Sequence, residues 1–351
     1  VAAKVRIGLV GCGKIAQTHA AALAILEEAD FTACCDADEG RARELAGKYN
    51  VPNVFSDINA LFRSGTVEAV CVCTPHPTHG PIVVAAAEAG IHVLCEKPLT
   101  VDLAEANRMV EAADRAGIAF GGIFQRRFWP AAQRIRRAID DGKLGTVTLG
   151  ECAVRIWRPE SYFAQDAWRG KWATEGGGVL MNQAVHAIDL LQWYLGPIKE
   201  VFGRYNTFMH GAYIDVEDTA VATLVGTNGA LATIQAASTY TPTFGFRVAV
   251  HGTSGATASV WEMPEGVEGI NDVWNIPGEE SNQHNWQTDP QPGRGFPGFH
   301  VLQIQDFLQA VRDKRPPAVT GAEAKKALEI ILAIYESSRT GKVITLPMQA
   351  S

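Results

Sequence analysis

The chain has 351 residues, 47% hydrophobic and 20% charged, with a formal net charge of −7 and a pI near 5.8. This is an ordinary globular composition, long enough for two cores, and it lacks the basic footprint of a nucleic-acid or anionic-membrane binder, so the expected partner is a small molecule. The seven cysteines lie mostly in apolar runs without a CxxC pair and read as reduced core residues. With no secretory leader and no apolar run of about 18 residues, a cytoplasmic location is expected.

Residues 5–10 form a short apolar run, followed by Gly11-Cys12-Gly13-Lys14-Ile15-Ala16 and an alanine-rich helical stretch, 17–28. Strand, glycine turn and helix are the setting in which G-x-G-x-x-(G/A) has mechanical meaning. Gly11 permits a tight turn, Gly13 lets the backbone approach a pyrophosphate, and Ala16 lets helix pack on strand, with the phosphates on the helix N-terminus. The next strand, 31–35, ends at Asp36, about 20 residues beyond Ala16, where a ribose-binding acid is expected. An acid there favours the ribose hydroxyls of NAD and repels the 2′-phosphate of NADP; Arg41 and Arg43 weigh on the other side.

A charged amphipathic helix is predicted over 39–49 and a short strand at 54–55. The uninterrupted apolar run 69–73 suits a parallel strand covered on both faces. It ends in Thr74-Pro75-His76-Pro77-Thr78-His79, where two prolines exclude a helix. His76 and His79 read there as ligand-facing or helix-capping residues, and no metal is expected. After a helix over 82–89, the strand 92–95 leads into Glu96-Lys97-Pro98. Lys97 thus emerges at the C-terminal edge of a strand, where open α/β sheets bind their ligands. A helix over 102–116 and a strand over 119–124 complete a βα alternation that a doubly wound parallel sheet explains.

The ordered set Gly11-x-Gly13-x-x-Ala16, Asp36, Cys73-Thr74-Pro75, Glu96-Lys97-Pro98, Gln125-Arg126-Arg127-Phe128 and Gly176-Gly177-Gly178, followed by Asn182, His186 and Asp189, resembles the Gfo/Idh/MocA oxidoreductases over nearly the whole chain. The resemblance implies an N-terminal Rossmann domain that binds NAD(P), residues 1–124. It implies a C-terminal α+β domain for substrate binding and oligomerisation, residues 125–351, with a large open, mainly antiparallel sheet. It further implies a cis Lys97–Pro98 bond and Lys97 and His186 as the catalytic pair. Cofactor contacts are expected from Gly11, Gly13, Lys14, Ile15, Asp36, Thr74, Pro75, His76, His79, Glu96, Lys97 and Gln125. Asn182 stands where many members carry Asp; it cannot take up a proton, so His186 is expected to act more alone.

Further along, an amphipathic helix is predicted over 128–142 and a strand over 146–157. The tract 157–172 is rich in aromatic rings and donors, which makes Arg158, Tyr162 and Trp168 candidates for facing a sugar, alongside Lys97, Asn182, Gln183 and His186. Residues 179–195 read as one helix with Asn182, His186 and Asp189 on a shared stripe. Residues 199–261 carry an antiparallel sheet signature. Helices are expected on one face of that sheet and a second subunit on the other, giving a homodimer or homotetramer. Residues 264–297 are expected to form a loop over the site. A helix over 301–311 begins near His300, for which a substrate contact and a helix-start role stay equally open, and a final helix covers 323–338.

The chemistry expected is reversible oxidation of a secondary hydroxyl of a sugar, glycoside or cyclic polyol by hydride transfer to NAD. His186 would take the hydroxyl proton, and Lys97 would orient the hydroxyl and steady the developing alkoxide. Two alternatives stay open: a dinucleotide-sensing regulator without turnover, and an enzyme that keeps NAD bound and recycles it within one turnover.

Overall fold

The computed structural model describes residues 3–280 and 298–349, and the chain divides into two compact units, with breaks after Gln125 and Lys325. The first unit begins β1 (Val5–Val10), α1 (Lys14–Ile25), β2 (Ala29–Cys35), α2 (Glu39–Tyr49), β3 (Asn53–Phe55), α3 (Ile58–Arg63), β4 (Ala69–Val72), α4 (His79–Glu88), β5 (His92–Cys95), α5 (Leu103–Ala116) and β6 (Phe120–Gly122). Its six strands lie in the order β3-β2-β1-β4-β5-β6, and each pair is parallel. The order reverses between β1 and β4, the switch point beside which such sheets bind ligands. Local chemistry sets the helix limits. Asp38, Asp57 and Asp102 accept backbone N–H groups at the starts of α2, α3 and α5, and Gly117 ends α5 in the left-handed conformation.

The second unit contains α6 (Pro130–Asp140), β7 (Val147–Arg155), α7 (Glu160–Phe163), α8 (Trp172–Glu175), a π-helix (Val179–Ala184), α9 (Val185–Leu195), β8 (Ile198–Asn206), β9 (Thr219–Gly226), β10 (Leu231–Ala237), β11 (Gly245–Gly252), β12 (Thr257–Glu262) and β13 (Trp274–Asn275). The stretch 179–195 is therefore not one α-helix as the pattern predicts, because its first six residues are wound as a π-helix. The loop expected over 264–297 is described only as far as residue 280.

The chain closes with α10 (Gly298–Asp313), α11 (Gly321–Thr340) and β14 (Ile344–Thr345). Here the expected division at 124/125 needs correcting, since α10 and the chain as far as Lys325 belong to the first unit. The cause is packing: Ile304, Phe307 and Leu308 share one buried cluster with Val5, Ile7 and Leu9. Gln303 adds polar ties, donating to the Gly122 carbonyl at 2.7 Å and accepting the Phe124 N–H at 2.9 Å.

The second unit's sheet has eight strands in the order β13-β12-β11-β7-β10-β9-β8-β14. The β7–β10 pair is parallel and the others are antiparallel. Alternate residues such as Ala220, Ala222, Leu224, Ala232 and Ile234 are buried, the pleat placing them on one face. The helix α9 packs across β7 and β11 on that side, and Gly150 is open enough to admit it: a Cβ there would lie 2.8 Å from Leu191 Cδ1. On the other face Leu149, Val221 and Leu231 are each more than half exposed.

Candidate active site

Because every strand of the first sheet points the same way, the loops after β1, β2, β4, β5 and β6 all open at one edge. Those loops carry Gly11, Asp36, Thr74, Lys97 and Gln125 respectively. Gly11 has φ +89°, and a Cβ there would come within 2.7 Å of the Cys73 backbone, so this turn admits only glycine. Gly13 caps α1 without any side-chain hydrogen bond, and a Cβ added there would meet nothing within 4 Å. Uncapped first-turn N–H groups facing open space are what a pyrophosphate needs. Lys14, exposed, and Ile15, half-buried, flank this opening.

Asp36 accepts the Cys12 N–H at 2.7 Å through Oδ2 and the Asp38 N–H at 2.9 Å through Oδ1. A carboxylate has about four lone-pair sites, so capacity for a ribose diol is left. Arg41 pairs with Asp38 at 3.3 Å and Arg43 with Glu39; both guanidiniums weighed in favour of NADP are engaged by neighbouring acids.

His79 is fully buried. Its Nε2 lies 2.8 Å from the Thr74 carbonyl, and its Nδ1 lies 3.1 Å from the carbonyls of Pro98 and Leu99. It braces the loop after β4 against the loop after β5 from behind, and burial lowers its pKa. Thr78 Oγ1 donates to the Pro75 carbonyl at 2.7 Å, holding that loop in shape, and His76 packs near His79, ring centres 5.9 Å apart.

The Lys97–Pro98 bond is cis, and between Val93 and Thr100 Lys97 is the one residue that is not buried. Behind it, Glu96 is buried, with Oε1 2.7 Å from His19 Nε2 and 3.8 Å from His300 Nε2 and Oε2 accepting the Lys97 N–H at 3.1 Å. Burial opposes ionisation of Glu96, but His19, His300 and Lys97 outweigh it and hold the carboxyl down at about 2. His19, Glu96 and His300 offer three buried donor atoms within 4.8 Å of one another, a set of metal-ligand types. The direct His19–Glu96 hydrogen bond already satisfies two of those atoms, so the trio reads as a charge network at the root of Lys97. Gln125 has a buried Oε1 without a hydrogen bond, an acceptor of the kind a bound ligand satisfies.

In the second unit Arg158, Tyr162 and Gln183 come together. The guanidiniums of Arg158 and Arg169 lie 4.9 and 4.6 Å from the Tyr162 ring centre. The Tyr162 hydroxyl accepts from Arg169 at 2.7 Å and Gln183 at 3.0 Å. Trp168 stacks on Arg169 at 4.4 Å, and Arg158 pairs with Glu265 at 2.6 Å. The triple glycine has a steric reason: a Cβ on Gly177 would collide with the Tyr335 hydroxyl and one on Gly178 with the Glu217 carbonyl. Glu217 accepts the N–H groups of Gly178 and Leu180 at 2.7 and 2.9 Å and the Tyr335 hydroxyl at 2.9 Å. Burial pushes its carboxyl up to about 7, against those three donors.

From Gly177 to Gln192 Asn182 is the one residue that is not buried; His186, on the first turn of α9, is 6% exposed. Asp189 does not extend the site. It is buried in a two-point pair with Arg127, 2.7 Å to Nε and 2.6 Å to Nη2. The structure also brings in residues that spacing did not single out: His19 behind Lys97, and Glu175 and Glu217 around the π-helix. Glu175 had one visible sign, its place directly before the triple glycine.

A parallel 3-2-1-4-5-6 sheet with this glycine turn and acid is a dinucleotide-binding fold. Residues 5–122 match the family described as "Oxidoreductase family, NAD-binding Rossmann fold", and residues 132–258 match the GFO/IDH/MocA C-terminal domain. The chain belongs to this family and binds NAD. It is 30% identical to inositol 2-dehydrogenase of Rhizobium meliloti over 75% of this chain and 78% of that protein. It is 27% identical to myo-inositol 2-dehydrogenase of Thermotoga maritima over 97% and 98%. Among solved structures, the WlbA dehydrogenase of Bordetella pertussis in complex with NADH and UDP-GlcNAcA superposes with a TM-score of 0.85 at 29% identity, covering 99% of this chain and 100% of that one.

Proposed function

We propose that the protein is an NAD-dependent dehydrogenase that reversibly oxidises a secondary hydroxyl of a sugar, glycoside or cyclic polyol. The observation that carries the reading is Lys97: a cation alone in reaching solvent at the cofactor edge of β5, rooted on a buried, ionised Glu96. The relatives named for inositol and the neighbour bound to a nucleotide sugar support the substrate class.

Bound NAD supplies the hydride acceptor. Lys97 donates to the substrate hydroxyl and stabilises negative charge as it develops on that oxygen. His186 takes the proton through a ring nitrogen, a role suited to an imidazole near neutral pH. Arg158, Tyr162, Trp168, Asn182 and Gln183 bind the remaining hydroxyls, and Gln125, with its buried Oε1, would help to hold the cofactor. We place the enzyme in the cytoplasm, in keeping with seven free, buried cysteines, and as a homo-oligomer through the open face of the second sheet. Among the described residues no helix is long and apolar enough to cross a membrane.

The test is incubation of purified protein with NAD or NADP and a panel of inositols, aldoses, anhydrosugars and nucleotide sugars, following the absorbance of reduced nicotinamide. NAD-dependent reduction is expected. His186→Asn should keep NADH binding while losing roughly 10²- to 10⁴-fold in turnover, and Lys97→Met should lose at least as much turnover. Silence with both cofactors in both directions would favour the sensor. NAD released only on denaturation, with no net reduction, would favour the recycling enzyme.

A further inference from the structure

Glu175 ends α8 directly before Gly176 and is 1% exposed. A carboxylate that deep needs donors; among them are the Gly170 N–H at Oε2 and the Asn182 side-chain amide at Oε1. The Asn182 side chain turns its amide nitrogen, not its oxygen, toward Oε1.

We propose that Glu175 is a positioning residue for the reaction. It holds the Asn182 amide by its donor end, so that the carbonyl oxygen Oδ1 is what Asn182 presents to a substrate hydroxyl. This rests on the dehydrogenase reading given above. The surroundings suit the role. Glu217 pins Gly178, just before the same π-helix, and Leu180, in its first turn, and Asn182 is the one residue not buried between Gly177 and Gln192. A neutral oxygen held in this way accepts a hydroxyl hydrogen as a carboxylate oxygen would, but takes no proton. Asn182 then serves hydroxyl binding, and proton transfer is left to His186.

The experiment is a swap of polarity. Glu175→Gln lets the Asn182 amide turn over and should lower kcat/KM about tenfold, mainly through KM, the size of one hydrogen bond at 1.36 kcal/mol per tenfold. Asn182→Asp sets two carboxylates against each other and should lose at least as much. Combining the two substitutions restores one donor facing one acceptor, the new glutamine's NH₂ to the new aspartate, and should recover activity at least tenfold over Asn182→Asp alone. That rescue remains readable even if Glu175→Gln alone does not fold. Independently of turnover, protein labelled with [¹⁵N]asparagine should show an Asn182 NH₂ signal, identified by its loss in Asn182→Asp, that shifts in Glu175→Gln. Failure of the swap to rescue, or an Asn182 signal indifferent to Glu175, overturns the proposal. A shifted signal with no turnover on any substrate would instead count against the dehydrogenase reading alone.

Discussion

The Nε2 of His19 lies 2.7 Å from Oε1 of Glu96, and both side chains are buried. Burial works against charge on His19, but Cys73, Cys71 and Glu96 outweigh it and push the imidazole well above its ordinary 6.5. Burial holds the Cys73 thiol at about 11, so Glu96 is the anion of the group at neutral pH. Folded Glu96 stays ionised down to about 2 against 4.5 when unfolded, so its stabilisation is complete above 4.5 and fades as pH falls toward 2. His19 behaves oppositely: its contribution is complete below 6.5 and fades as pH rises through its raised folded value. Glu96→Gln should therefore cost most stability between these limits, about 3–5 kcal/mol for one partner of a buried pair, and Tm should fall with it. The check is a thermal-melt series against pH for both proteins. A difference that does not vary with pH would show that this pair does not control stability.

Asp36 does two jobs at once, and one substitution separates them. Its carboxylate accepts the N–H groups of Cys12 in the glycine turn and of Asp38, and it is the group proposed to bind the ribose. Asp36→Ser should weaken NADH binding tenfold or more, in line with about 1.5–3 kcal/mol for a hydrogen bond to a charged group. It should improve NADPH binding by removing the charge that repels a 2′-phosphate. Fluorescence titration with both reduced cofactors reads this directly, and a parallel loss for both would reduce Asp36 to a loop tie.

Asp189 should matter for folding and not for chemistry. Its pair with Arg127 is buried on both sides, so Asp189→Asn leaves a guanidinium without its counter-charge at a cost of about 3–5 kcal/mol. Denaturant unfolding should show that loss, while kcat measured well below the new midpoint stays near wild type.

Asp189 also shows where a sequence stops being legible. Its spacing from Asn182 and His186 suggests a shared face, but its partner lies 62 positions away, beyond any local pattern. The cofactor edge was readable because parallel strands bring every following loop to one side, so Gly11, Asp36 and Lys97 could be placed from order alone. The π-helix was not readable, since Val179, Leu180 and Met181 are all buried and a stretch apolar all round carries no period to measure. At its start Glu217 holds Gly178 and Leu180, a contact made across the fold that no local pattern announces. The placement of α10 was hidden for a related reason: an amphipathic face declares that it will be buried, not which core will take it.

The open face of the second sheet makes a prediction about assembly. Leu231 of β10 is in register with Leu149 of β7 on one side and Val225 of β9 on the other, so apolar side chains form a row across three adjacent strands. Leu149 and Leu231 are 52% and 56% exposed, and a contiguous apolar surface of this kind marks an interaction site. The sheet's edges are less suited to pairing, because β13 and β14 are only two residues long and short edge strands resist it. A second copy packing face to face is therefore expected. Light scattering should give a mass at least twice the 37.8 kDa of one chain. Leu231→Lys should bring the mass down to a single chain with the circular dichroism unchanged, because a charge on that row is solvated in the monomer and stranded in the interface. A wild-type mass of one chain would remove the face from consideration as a subunit contact.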